Sequence, residues 1–109
     1  MRKTKSILIN ENYSSICAFC GKPLNNKTEH HLLFGKDRAY AEQDGIKLPA
    51  CDNCHTMGKN TDKIHGNIMA EKLSRIAGQL AYEKQKVSEG FSCDEARESF
   101  RKRYGKSFL

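Results

Sequence analysis

The chain has 109 residues, a formal net charge of +6 and five cysteines, and its pI is near 9.1. That length suits one domain, residues 1–109, and an irregular domain of this size gains from a staple beyond its apolar core. No stretch is apolar for long enough to span a bilayer, and Ile7-Leu8-Ile9 is too short for a signal-peptide core, so a cytoplasmic chain is expected.

The basic residues Arg2, Lys3 and Lys5 could touch phosphates or fray in solvent, and Ile7 to Ile9 either adds a short strand or docks on the domain. Cys17-Ala18-Phe19-Cys20 is followed by Gly21, which suits a tight knuckle whose glycine takes positive φ. Cys51 and Cys54 repeat the two-residue gap. In a reducing compartment, paired cysteines more often bind metal than form disulfides. Cys17, Cys20, Cys51 and Cys54 are therefore expected to hold a structural zinc, four thiolates completing a closed tetrahedral shell. Cys93 lies far from the four and is expected to be a free thiol.

Asn25, Asn26 and Lys27 predict a turn. Thr28 to Phe34 predicts a short strand buried on both sides, because Leu32, Leu33 and Phe34 are all apolar. Lys36 to Asp44 is a polar connection with helical character around Arg38 to Gln43. Gly45 turns the chain into Ile46-Lys47-Leu48, the expected partner strand. Asp52 or Asn53 is expected to cap a helix that carries His55. Beyond His65, Met69, Leu73, Ile76, Leu80 and Val87 form an apolar stripe widened by Ala77. The stripe is expected to pack on the zinc module; the alternative is a homodimer through residues 68–88. Ser92 and Glu95 make a capping box for a last helix, Cys93 to Tyr104, with Ala96, Phe100 and Tyr104 on one face and Gly105 as its stop. The class is α+β.

Basic residues suggest a polyanionic partner. Arg97, Arg101, Lys102, Arg103 and Lys106 form the densest run, and Lys36 and Arg38 lie in the connection after the first strand. All seven are candidate contacts to a nucleic-acid backbone. The sequence Glu29-His30-His31 places two histidines between the cysteine pairs, and His55 follows Cys54 directly. Neutral histidine can take a proton from water near neutral pH, which suits His31 as a general base. His30 and His55 would supply the few ligands of a catalytic divalent ion, leaving positions open for phosphate and water. Imidazole favours Mn2+, Ni2+, Co2+ or Zn2+ over Mg2+. On a regular strand His30 and His31 point to opposite faces, so the pair requires a bulge, a twist or a strand end.

The order of knuckle, strand, loop, strand, and knuckle with helix resembles the HNH nucleases, whose fold is the ββα-metal or treble-clef-like module. The nearest likeness is to the zinc-stapled branch common in bacteriophages, which implies the cytoplasm of a bacterial host. Glu29-His30-His31 is similar to the family's paired residues, of which the first binds the catalytic metal and the second is the base. Cys51-x2-Cys54-His55 resembles the family segment that ends in the other metal ligand. Ile64-His65-Gly66-Asn67 and residues 104–109 are similar to segments of small phage proteins of this type. His65 is thereby a third candidate for the catalytic site, as metal ligand, phosphate contact or helix start. The resemblance implies DNA cleavage to 5′-phosphate and 3′-hydroxyl ends, a core over residues 17–67 and a helical extension over 68–109. The family's middle asparagine is missing, and either Asp44 or a backbone carbonyl is expected to orient the base in its place. The alternative function is a zinc-stabilised DNA-binding module without catalysis.

Overall fold

A computed structural model describes residues 4–24, 28–59 and 63–109. Among these, a two-stranded antiparallel hairpin lies at the centre, formed by β1 (Glu29–His31) and β2 (Lys47–Pro49). Its register pairs Glu29 with Pro49, His30 with Leu48 and His31 with Lys47. Backbone bonds from Leu32 to the Ile46 carbonyl and from Ala50 to the Thr28 carbonyl extend the pairing at both ends. β1 is shorter than the expected 28–34, because Leu33 and Phe34 lie beyond the ladder and Leu33 enters the core, and β2 is shifted by one residue to include Pro49.

The connection between the strands is a 3-10 turn (Gly35–Asp37) and a helix, α1 (Arg38–Asp44), so it is more ordered than its polar sequence suggests. Gly45 ends α1 at φ 72°, and a Cβ there would lie 2.3 Å from the Lys5 carbonyl oxygen. The N-terminal segment can therefore lie against this turn, with the Ile7 N–H donating to the Gly45 carbonyl. It docks without forming a strand, and Leu8 packs at the edge of the core.

Two helices follow. α2 (Ile68–Ser88) starts at Asn67, whose side chain accepts from the Ala70 N–H. α3 (Cys93–Tyr104) starts at the Ser92–Glu95 capping box, with both reciprocal bonds formed, and stops at Gly105. Ala96, Phe100 and Tyr104 are buried on one face, as their spacing predicts. With Leu32, Leu33, Ala41, Ile46 and Tyr82 they make the core.

The apolar stripe of α2 does not face that core. Met69, Leu73, Leu80 and Val87 are 64%, 62%, 53% and 43% exposed, whereas Ser74, Gly78, Gln79 and Tyr82 are buried. Close approach explains the rotation: a Cβ on Gly78 would lie 3.0 to 3.3 Å from Leu33, Leu32 and Ile46. Buried Gln79 is acceptable because its amide is satisfied by Glu83, Ser107 and the Phe108 N–H.

The expected helix after Cys51 is instead a single π-type turn, Asn53–Met57, in which Asp52 makes no capping bond. The turn at Asn25, Asn26 and Lys27 and the basic residues Arg2 and Lys3 lie outside the described residues. Among the described residues, no helix is long and apolar enough to cross a membrane.

Candidate metal centres

The first knuckle is closed by the Gly21 N–H donating to the Cys17 carbonyl, with Gly21 at φ 78°. The Phe19 N–H points at Cys17 Sγ, 3.4 Å away. The second knuckle follows β2, and the Ala18 N–H donates to the Pro49 carbonyl, so the hairpin end holds the two knuckles together. The Sγ atoms of Cys17, Cys20, Cys51 and Cys54 all lie within 4.8 Å of one another. Cys20 and Cys51 sulfurs are 3.7 Å apart, close to the ~3.8 Å edge of a tetrahedron with metal–sulfur bonds of ~2.3 Å. Burial would raise the Cys17 thiol, yet N–H groups of Cys51, Cys20 and Phe19 outweigh it and bring it down to about 6. Burial and the neighbouring thiols push Cys54 up. A dication would favour ionisation of all four thiols, so this donor set fits a structural metal such as zinc. Cys93 is an exposed free thiol at the start of α3.

A second cluster combines His30, His55 and His65, whose ligand nitrogens also lie within 4.8 Å of one another. The Ile64 and His65 N–H groups donate to the Cys54 and His55 carbonyls, at 2.7 and 3.1 Å. That return of the chain, anchored by buried Ile64, sets His65 beside His55. Ring centres are 4.7 Å apart for His55 and His65, 5.2 Å for His30 and His55, and 5.1 Å for His30 and His65.

Hydrogen bonds engage one nitrogen of His30 and one of His65. Ser74 Oγ donates to the Leu32 carbonyl at 2.8 Å. His30 Nε2, 2.7 Å from the same oxygen, must therefore carry a proton and donate to it. His30 Nδ1 is left as a lone pair, buried and without a hydrogen-bond partner among the described residues. His65 Nδ1 lies 3.4 Å from Glu71 Oε2, which leaves Nε2 as its unengaged nitrogen. Outer carboxylate and hydroxyl partners of this kind are what orient imidazoles that bind metal. Burial, then the neighbouring His55 and His65, lowers His30 to about 3; burial, then His65, also lowers His55. Both rings are thus neutral at neutral pH and able to donate a lone pair.

His31 is not in this cluster. The strand is regular at the pair, so alternation turns His31 away from His30. Its Nε2 lies 2.8 Å from Glu42 Oε1. Glu42 also receives Lys47 Nζ at 2.8 Å, and Lys47 lies 3.2 Å from Glu29. Burial opposes ionisation of Glu42, but Lys47, His31 and the Thr4 N–H together bring it down to about 2. The carboxylate therefore accepts from His31 Nε2–H, so that in the neutral ring Nδ1 carries the lone pair. Asp44 does not orient His31; it accepts from Arg103 and Tyr104 at 2.7 and 2.6 Å.

The basic candidates divide similarly. Arg97 is bound to Glu83 and Arg103 to Asp44, both at 2.8 Å or less, so these two tie α3 to other elements. Arg101 pairs loosely with Glu98 at 3.5 Å, and Lys36, Arg38 and Lys102 are exposed. Two surface grooves of about 830 and 700 Å3 include none of the four histidines.

Comparison with known proteins finds no matching family model, no matching curated protein and no matching solved structure.

Proposed function

We propose that the chain is a metal-dependent endonuclease of the HNH type, hydrolysing phosphodiester bonds of DNA, with His30, His55 and His65 as ligands of the catalytic ion. The observation that carries this reading is buried His30 Nδ1, an unpartnered lone pair within a cluster of three imidazoles. A purely structural histidine at this depth would be expected to satisfy both nitrogens. The finer fold reading belongs to the same proposal: a zinc-stapled, treble-clef-like ββα-metal module with two further helices. It is supported by one knuckle preceding β1 and the other following β2 into the turn that carries His55.

A divalent ion held there supplies Lewis-acid polarisation of a phosphoryl oxygen. Three imidazoles favour Mn2+, Ni2+, Co2+ or Zn2+ over Mg2+. His31 is the proposed base although β1 turns it to the face opposite His30: it is the last residue of the strand, and the water it activates would reach phosphorus around that end. Glu42 holds its Nε2–H and fixes the tautomer, so that Nδ1 accepts the proton of the attacking water. The water oxygen bonds to phosphorus as the bond to the 3′ oxygen breaks, and that oxygen takes up a proton, giving 5′-phosphate and 3′-hydroxyl ends. The homodimer reading rests on the exposed row of Met69, Leu73 and Leu80. Sedimentation velocity decides it, and a monomer at all concentrations ends it.

His31→Ala tests the enzyme reading against a binding module. It should keep zinc, DNA affinity and divalent-ion binding and lose cleavage by about 10²- to 10⁴-fold. His31→Ala cutting as fast as wild type would reduce His31 to a structural partner of Glu42.

A further inference from the structure

Arg75 follows Ser74 on α2, so it lies one residue from the hydroxyl that holds His30. Its guanidinium carbon is 4.1 Å from the centre of the Phe34 ring and 6.0 Å from that of Phe108. Phe34 is in turn 4.7 Å from the His65 ring and 6.0 Å from the His30 ring, centre to centre. The guanidinium therefore lies within about 9 Å of His65. Arg97, Arg101 and Arg103 are each paired with a carboxylate, whereas Arg75 has no carboxylate partner among the described residues.

Two more cations lie nearby, one at Phe108 and the other at the end of α3. Lys106 Nζ is 5.3 Å from the centre of the Phe108 ring. Lys36 Nζ lies against the end of α3, 3.6 Å from where a Cβ on Gly105 would sit. Among the described residues its ion pair is with Asp37 at 3.5 Å, and with the lysine side chain 79% exposed that pair neutralises little. Arg75 and Lys106 thus lie over the Phe34 and Phe108 rings, and Lys36 lies against Gly105, the residue before Lys106.

We propose that these three side chains form a phosphate-binding patch that holds a nucleic-acid backbone against the histidine cluster. The stacked ring occupies the guanidinium face and restricts its rotamers, while the N–H edge stays available as a planar fork for phosphate oxygens. Stacking alone accounts for the face of Arg75 but not for the unneutralised edge or for Lys106 at Phe108 with Lys36 beside Gly105. The location rests on the hydrolytic reading of the cluster; the binding chemistry does not.

The test measures affinity of the zinc-loaded protein for a short labelled DNA duplex across salt, with no divalent ion added. Arg75→Gln should reduce the slope of log affinity against log salt by about one unit, and the double variant Lys36→Gln/Lys106→Gln by about two. The loss should be similar for unrelated duplex sequences, because phosphate contacts do not read bases. Arg75→Lys should retain the wild-type slope. Lys36 and Lys106 are exposed, so the double variant reports binding even where Arg75→Gln perturbs packing. Unchanged slopes in Arg75→Gln and in the double variant overturn the patch. Plasmid cleavage is read separately: reduced slopes without any cleavage keep the patch and remove the nuclease reading, whereas cleavage with unchanged slopes does the reverse.

Discussion

His30 on β1 and Ser74 on α2, 44 residues apart, meet through a 2.7 Å bond that fixes which imidazole nitrogen is left for a metal. Ser74 can serve because its own proton is committed to the Leu32 carbonyl. Ser74→Ala should weaken Mn2+ or Co2+ binding by about 10- to 100-fold, the usual effect of removing an outer partner of a ligand. Zinc in the cysteine site should remain. Calorimetric titration of the divalent ion measures this, and an unchanged affinity would detach Ser74 from the site.

The cysteine cluster makes a separate claim. The purified protein should carry one tightly held zinc there, and Cys51→Ser or Cys54→Ser should lose it and unfold, since such sites contribute folding energy directly. Cys93→Ser should leave zinc content unchanged, its thiol being exposed and distant in sequence. Elemental analysis with circular dichroism checks both. A folded, zinc-free wild type would contradict the stapling argument.

Acid should destabilise the fold early. The unfolded chain protonates His30 near 6.5, whereas burial delays protonation in the native state to about 3. The unfolded state therefore binds more protons across that interval, and stability falls as pH drops through it. Glu42 adds to the loss between 4.5 and about 2. For His30 alone the cost by pH 5 is roughly 2 kcal/mol. Urea unfolding at pH 7 and pH 5, with zinc content monitored, measures it. Equal or greater stability at pH 5 would show that His30 is not held neutral.

The two faces of α2 should respond in opposite ways to mutation. Leu73→Ser and Leu80→Ser change exposed positions, and each should shift stability by no more than about 0.5 kcal/mol. Gly78→Leu places a side chain where Leu33, Leu32 and Ile46 already approach, and should cost more than about 2 kcal/mol. Thermal denaturation separates them. A large loss from Leu73→Ser would return the apolar stripe to the core.

Much of this was legible in sequence where the signal is local. The Ser92–Glu95 box, the Gly105 stop and the Ala96–Phe100–Tyr104 face of α3 follow from short-range rules. So does the equal spacing of the cysteine pairs. What was hidden depends on tertiary approach. The hydropathy of α2 favours Leu73 and Leu80, but the hairpin needs a face narrow enough for contact, which Ser74 and Gly78 supply. Glu42 and Asp44 both lie on α1 shortly before β2; two residues on a helix differ by about 200°, so only one can face His31. Nothing in the sequence says which. Pairing of His65 with His55 depends on backbone bonds between chain segments, though buried Ile64 and the adjoining Gly66 mark where the chain turns back.

The central claim is that the histidine cluster supports hydrolysis. It is tested most directly by incubating metal-stripped protein, reloaded with one zinc, with supercoiled plasmid and each divalent ion in turn. Conversion to nicked or linear DNA should be fastest with Mn2+, Ni2+ or Co2+, slower with Mg2+, and absent without added ion. It should also be lost in His30→Ala while zinc is retained. A folded protein that binds the plasmid but cuts no form of it with any of these ions would contradict the account.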